Sequence, residues 1–180
     1  GAKAIAALTH ANTDNQNHVA RLGGIPLLVL LLSTTEINVK EMAALAIAET
    51  CRTNFANQNA AAEAGVIVLM VELLKQSKKD DDDEELKAEA VGAIGVLAED
   101  NEENKVAIAA KGGIEPVVKL LAKGNRKAQA HAAVALSNLG SGNVANQITM
   151  TELLVRMLSE GNEIARANAT ASLTRLVDEN

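Results

Sequence analysis

Three histidines, one cysteine and a run of acidic residues are the side chains of this sequence that could do chemistry. His10, His18 and His131 are not spaced as the H-E-x-x-H zinc motif, and Cys51 has no second cysteine with which to share a metal. An enzyme would need a nucleophile, a base and an orienting group that converge, or a metal with its ligands. No such combination is visible, so we expect a protein without catalysis, metal or cofactor.

The acidic run could suggest calcium binding, because six acidic residues follow one another. An EF-hand loop, however, needs acidic ligands spaced around a central glycine, and this run has none. We expect a loop whose last acids stabilise the following helix N-terminus through the helix dipole, with a docking site for a basic partner as the alternative. The run comprises Asp80, Asp81, Asp82, Asp83, Glu84 and Glu85.

Glycine pairs raise the question of a phosphate-binding loop, as in NQNHVARLGGIPLLVLLL at residues 15–32. The sequence has neither G-x-G-x-x-G nor a Walker lysine–serine pair beside these glycines. Gly23–Gly24 and Gly112–Gly113, reduced to Gly65 between them, instead allow positive φ where one short helix ends and the chain reverses. Pro26 then falls in the first turn of the next helix, where its missing N–H costs nothing.

The quoted stretch recurs along the chain, which is the main organisational signal. Two sets of asparagines, three residues apart, repeat at intervals of 42, 47 and 42 positions. Periods in this range are typical of helical solenoids. The first set is Asn15, Asn57, Asn104 and Asn146, and the second is Asn12, Asn54, Asn101 and Asn143.

Each unit ends with a longer predicted helix that must position any functional side chain. In one of them Ala132, Ala135, Leu136 and Leu139 form an apolar stripe for packing against neighbours, which leaves the opposite face for a partner. Apolar volume supplied by Ala, Leu, Val and Ile, with 1% aromatic residues, also favours an all-α protein. The predicted helices span 37–51, 85–100, 126–140 and 163–177, with a truncated copy at 2–11.

Charge and cysteine content narrow the partners and the compartment. A net charge of −6 disfavours nucleic-acid binding, which depends on Lys and Arg contacts with phosphates. A lone cysteine cannot form an internal disulfide, and no apolar stretch is long enough to span a bilayer. We expect a soluble intracellular protein, cytoplasmic or nuclear, whose partners are other proteins and which does not insert into membranes.

These motifs resemble the armadillo-repeat family. Its pattern of N-x-x-N, G-G-I-P-x-L-V-x-L-L and a long helix ending in A-L-x-N-L is matched at 101–104, 112–121 and 135–139. The resemblance extends over the whole chain and implies a right-handed, all-α solenoid of about four stacked three-helix repeats. HEAT-like repeats are the second choice, because the glycine pair and the asparagines favour armadillo.

The recurrence divides a single domain, 1–180, into successive units. The last unit is shorter and lacks the glycine pair, so we expect its first helix to be shortened or lost. Both ends lack polar capping units, which predicts a fragment of a longer protein or a chain that covers its ends by association. The units are 1–14 (a third helix), 15–56, 57–103 with the acidic insertion, 104–145 and 146–180.

The resemblance also implies a concave groove, lined by the third helices, that binds extended peptides. In the family's peptide-binding members an Asn and a Trp on each third helix contact the peptide. The equivalent Asn is retained only at Asn138, and no aromatic residue stands in the Trp positions, which argues against recognition of basic nuclear-import peptides by cation–π contacts. The predicted groove residues are Leu45, Glu49, Arg52, Glu89, Val96, Glu99, His131, Val134, Asn138, Ser141, Asn168 and Arg175.

The sequence thus predicts a non-enzymatic scaffold whose concave face holds an extended segment or a helix of another protein. The alternative is a structural spacer within a larger solenoid, which would self-associate through its end repeats.

Overall fold

The computed structural model describes residues 1–76 and 83–178, and the regular elements in these ranges are twelve α-helices with no strand. After one leading helix they follow the order short, short, long in three successive units, and a pair of long helices closes the chain. Their bounds are α1 Ala2–Thr9, α2 Thr13–Arg21, α3 Gly24–Leu32, α4 Ile37–Cys51, α5 Phe55–Glu63, α6 Val66–Lys75, α7 Glu84–Ala98, α8 Glu102–Ala110, α9 Ile114–Lys123, α10 Arg126–Gly140, α11 Val144–Glu160 and α12 Glu163–Asp178.

The long helices lie where the sequence predicts them. Helices α4 and α10 have the predicted bounds, and α7 ends at Ala98, two residues before its predicted end. The early end of α7 has a backbone cause, because Glu99 is extended and Asp100 has a φ of 50°. A non-glycine residue in the left-handed region cannot continue a right-handed helix.

Glycines make the sharp reversal between the two short helices of each unit. Gly23, Gly65 and Gly112 have φ values of 74°, 87° and 69°, as the sequence predicts. The following Gly24 is constrained by space, because a Cβ atom there would lie 2.8 Å from the Val19 carbonyl oxygen. The pair therefore combines one residue chosen for its dihedral angle with one chosen for close packing.

Through the core the long helices stack side by side, α4 on α7 and α7 on α10, with the short helix α1 packed on α4. Fully buried alanines such as Ala46, Ala93 and Ala132 lie in these helices. On α7, Gly95 brings the backbones closer still, because a Cβ atom there would lie 3.3 Å from the Ala135 Cβ. Small residues thus give the close helix stacking that the composition predicts.

The closing unit differs from the others because its first two helices are one. The expectation that its first helix is shortened or lost needs this correction: α11 runs unbroken from Val144 to Glu160. The reason lies in the sequence, since this segment has no glycine or proline between those residues and nothing interrupts the helical hydrogen bonds.

Only the last part of the acidic run lies within the described residues. Glu84 and Glu85 occupy the first turn of α7, where the helix dipole favours negative charge, as predicted. Asp83 precedes them and binds the Lys87 ammonium at 2.8 Å. The remaining predicted residues, Asp80 to Asp82, lie outside the described ranges.

Candidate functional site

One set of repeated asparagines caps the first helix of each unit. The side-chain oxygen of Asn101 accepts a hydrogen bond from the backbone N–H of Asn104 at 3.1 Å, which satisfies a donor left free at the start of α8. The same bond recurs at every equivalent position. The other capping residues are Asn12, Asn54 and Asn143.

The second set of asparagines binds carbonyl groups near the end of the preceding long helix. The Asn104 amide donates to the Leu97 carbonyl at 2.9 Å, one of the final carbonyls of α7 that have no partner within the helix. Asn15, Asn57 and Asn146 make the equivalent bond to the carbonyl seven residues earlier. Both sets of asparagines therefore stabilise the fold through hydrogen bonds within the protein.

Other polar side chains connect one unit to the next through further carbonyls at the ends of the long helices. Gln58 donates to the Val96 carbonyl at 3.0 Å, and its own side-chain oxygen accepts from Asn101 at 3.1 Å. In the following unit Lys105 takes the place of the glutamine and donates to the Ser141 carbonyl. The negative end of the α10 dipole favours this buried cation.

A concave pocket of about 330 Å³ opens across the long helices α4, α7 and α10. Nine of the twelve predicted groove residues line it, so the structure brings them together on one surface. The pocket also contains four residues that the prediction missed. The nine are Leu45, Glu49, Arg52, Glu89, Val96, Glu99, His131, Val134 and Asn138, and the four are Ala48, Gly92, Gly95 and Lys127.

At the α4 side of the pocket a buried carboxylate is shared by an arginine and a histidine. Glu49 accepts hydrogen bonds from Arg52 and His10, each at 2.7 Å. Burial alone would raise the pKa of Glu49, but the hydrogen bonds from Arg52 and His10 outweigh it and hold the pKa below its ordinary value. The carboxylate is therefore ionised and already paired at neutral pH.

At the α10 side Lys127 pairs with two carboxylates of α7. Its ammonium lies 2.7 Å from Glu89 and 3.0 Å from Glu85. The hydrogen bond to buried Glu89 contributes most to raising the Lys127 pKa, and Glu85 adds to it against the opposing effect of burial. This contact joins residues 38 positions apart in sequence, a separation at which single-sequence patterns carry no pairing information.

Two further polar groups in the pocket floor also bond to the protein itself. His131 Nδ1 donates to the Ala88 carbonyl at 2.8 Å, and its ring fills the space that a Cβ atom on Gly92 would occupy. The Asn138 amide donates to the Gly95 carbonyl at 2.9 Å. The asparagine that the resemblance assigns to peptide binding has thus committed its Nδ2 donor to the neighbouring helix.

The pocket leaves one charged and two apolar side chains for a partner. Val134 is 56% exposed, and Leu45 is half-buried on the facing helix. Glu99 is half-buried, and among the described residues no cation lies within 4.0 Å of its carboxylate. Val134 and Glu99 are therefore available to a partner, and so is the part of Leu45 that does not pack against the core.

The other three predicted residues lie elsewhere. Ser141 is exposed beyond the end of α10, and its carbonyl receives the Lys105 bond. Asn168 and Arg175 line a neighbouring depression of about 270 Å³ between α10 and α12, where the Asn168 amide donates to the Leu121 carbonyl at 2.9 Å. The predicted groove is therefore divided into two adjoining sections.

The described part of the chain shows neither a metal cluster nor an accessible thiol. Within residues 1–76 and 83–178, no three His, Cys, Asp or Glu side chains are arranged to hold a metal ion. Cys51 is fully buried, and burial raises the pKa of its thiol to about 12. In the same ranges, none of the helices has the length and apolar character needed to cross a membrane.

Comparison with known proteins agrees with this architecture. The armadillo/β-catenin-like repeat profile matches residues 12–52 and 101–141. An engineered protein is 27% identical with a TM-score of 0.81, covering 99% of this chain and 72% of its own. A designed armadillo repeat protein is 28% identical with a TM-score of 0.79, and the match covers 96% of this chain and 73% of the designed one. A second design, in complex with the peptide (KR)4, is 28% identical with a TM-score of 0.79, covering 96% and 72%. No curated protein matches the sequence.

Proposed function

Because this chain is an armadillo-repeat solenoid, we propose that it is a non-enzymatic scaffold that binds a segment of another protein on its concave surface. The binding region is the pocket across α4, α7 and α10, continued by the depression beside α12. Recognition requires only shape and non-covalent contacts, so the proposed activity includes no covalent step.

The single observation that carries the proposal is the convergence of three long helices on one open pocket of about 330 Å³. Its volume falls within the range of about 300 to 1,000 Å³ that is typical of ligand-binding clefts. A designed relative with the same fold is recorded in complex with a peptide, which makes a peptide or helix the natural class of ligand.

The experiment is a selection against displayed peptide libraries, followed by affinity measurements with two matched variants. Val134→Glu places a carboxylate in the pocket, whereas Val106→Glu makes the same change on α8, where Val106 is 54% exposed. Since losing apolar burial and desolvating a charge each cost more than about 1.4 kcal/mol, Val134→Glu should weaken groove ligands at least about tenfold. The proposal fails if no peptide is enriched, or if both variants weaken the enriched peptides equally.

A structural spacer that self-associates remains a second candidate, supported by exposed leucines at the first unit. Leu27 is 59% exposed, although the equivalent Leu69 and Pro116 are covered by the preceding unit. This candidate predicts that mass measured by light scattering rises with concentration and that Leu27→Lys abolishes the rise. A constant monomer mass for the unaltered chain would exclude it.

A further inference from the structure

The polar groups that usually recognise an extended peptide are missing or engaged in this pocket. An extended strand brings unpaired N–H and C=O groups, so its binding surface must supply donors and acceptors for them. In the family's peptide-binding members this role belongs to an asparagine on each third helix, and the equivalent positions in this pocket hold Glu49, Val96 and Asn138. The first is paired with Arg52 and His10, the second is apolar, and the third donates to Gly95.

Apart from Glu99, the other polar side chains of this surface also bond within the protein. Lys127 pairs with Glu85 and Glu89, and the one hydrogen bond assigned to His131 goes to the Ala88 carbonyl. A polar ligand would have to displace these contacts, and each hydrogen bond that it made would only replace one that it had broken. An extended backbone laid across this surface would therefore replace only some of the hydrogen bonds that it loses to water, for example at the Asn138 side-chain oxygen.

We infer that the pocket across α4, α7 and α10 binds an amphipathic helix that carries a Lys or Arg beside its apolar stripe. A helix satisfies its own backbone hydrogen bonds and presents only side chains, so it needs none of the missing groups. Its apolar residues would contact Leu45 and Val134, and its cation would pair with Glu99. The inference depends on the proposed function, because it names the occupant of the same groove.

Charge complementarity supports the basic residue in this partner. The pocket is lined by three carboxylates, Glu49, Glu89 and Glu99, but by only two permanent cations, Arg52 and Lys127. Of these three pocket carboxylates, Glu49 and Glu89 have ion pairs, and Glu99 is the one without a cationic partner among the described residues. Glu99 lies just past the end of α7, where the helix dipole adds negative potential. A cation placed there gains a partner without breaking an existing ion pair.

The test compares two displayed libraries with the same randomised apolar and basic residues. One library has an Ala-rich scaffold of about 18 residues with these positions at i, i+3, i+4 and i+7, long enough to be helical in water. The other has proline at every third position, which prevents helix formation. Enriched peptides are then measured by fluorescence anisotropy against the unaltered chain, Val134→Glu, Glu99→Gln and the control variants Val106→Glu and Glu103→Gln.

The expected result is enrichment from the helical library of peptides that contain Lys or Arg. Val134→Glu should weaken them at least about tenfold and Glu99→Gln about two- to fivefold at low salt, as for a partly exposed ion pair. Val106→Glu and Glu103→Gln should leave their affinity unchanged. The Glu99 effect should disappear in 0.5–1 M salt, roughly, because a Debye length of about 3 Å screens the pair.

The possible outcomes separate this inference from the proposed function. Groove-dependent binders that come from the proline library alone overturn the helical partner but leave a peptide-binding groove in place. Helical binders that are insensitive to Val134→Glu, or that lack Lys and Arg, also overturn the inference, because they would bind elsewhere or by another chemistry. No binder from either library removes both proposals together.

Discussion

Substitution of the inter-repeat asparagine is the most direct test of what holds the units together. Asn101 is fully buried and does two things: it caps α8, and its amide donates to Gln58 at 3.1 Å and to Asn59 at 2.8 Å. Asn12 makes the same cap, but its amide donates to no described residue. The two positions therefore separate the capping contribution from the inter-repeat contribution.

The substitution to serine gives different expectations at the two positions. Serine caps a helix about as well as asparagine, so Asn12→Ser should change the free energy of unfolding by no more than about 0.5 kcal/mol. Asn101→Ser leaves the Gln58 side-chain oxygen buried without a donor, which costs about 1 to 3 kcal/mol. Asn59 is half-buried and can regain its hydrogen bond from water, so it adds little.

The measurement is urea unfolding followed by far-ultraviolet circular dichroism, because the chain contains no tryptophan or tyrosine for fluorescence. The variants can be compared if the unfolding free energy falls equally steeply with urea concentration in all of them. Asn101→Ala, which also removes the cap, should cost about 1 kcal/mol more than Asn101→Ser. If Asn12→Ser and Asn101→Ser are equally stable, the inter-repeat hydrogen bonds contribute nothing and the reasoning is wrong.

Three further predictions concern the backbone, the thiol and acid stability. Ala11 has a φ of 49° at the position that Gly142 occupies in the closing unit. Ala11→Gly should therefore raise the free energy of unfolding by about 0.5 to 1 kcal/mol, and Gly142→Ala should lower it by a similar amount. Thermal unfolding measures both changes. Burial raises the pKa of Cys51 to about 12, so an aromatic disulfide reagent should react with it only as fast as the chain opens, and a rate equal to that of a free thiol in water would contradict this. Burial alone would raise the pKa of Glu49, but Arg52 and His10 lower it. The ionised form of Glu49 therefore stabilises the protein above the unfolded-state pKa of about 4.3. This contribution is lost as the pH falls through the lower folded-state pKa. The stability difference between the unaltered chain and Glu49→Gln should accordingly shrink between about pH 6 and pH 3 in urea titrations, and a difference that does not change with pH would refute the assignment.

The sequence by itself determined the helical architecture and the order of its repeated units. Local signals were sufficient: recurring asparagines mark the start of each unit, positive-φ glycines mark its reversal, and apolar periodicity marks the long helices. These features depend on residues close together in the chain, so one sequence contains them in full. The bounds of α4 at Ile37–Cys51 follow from them. Nine of the pocket residues were named from the resemblance to armadillo repeats, and four were missed.

Only the tertiary structure decided which of those groove residues remain available. Asn138 and Glu89 look like binding groups in the sequence, yet each is committed to a neighbouring helix, to Gly95 and to Lys127 respectively. The physical reason is that the hydrogen-bond partner lies about 40 residues away in the sequence. How the helices stack sets which residue that is, and periodicity within one helix does not specify it.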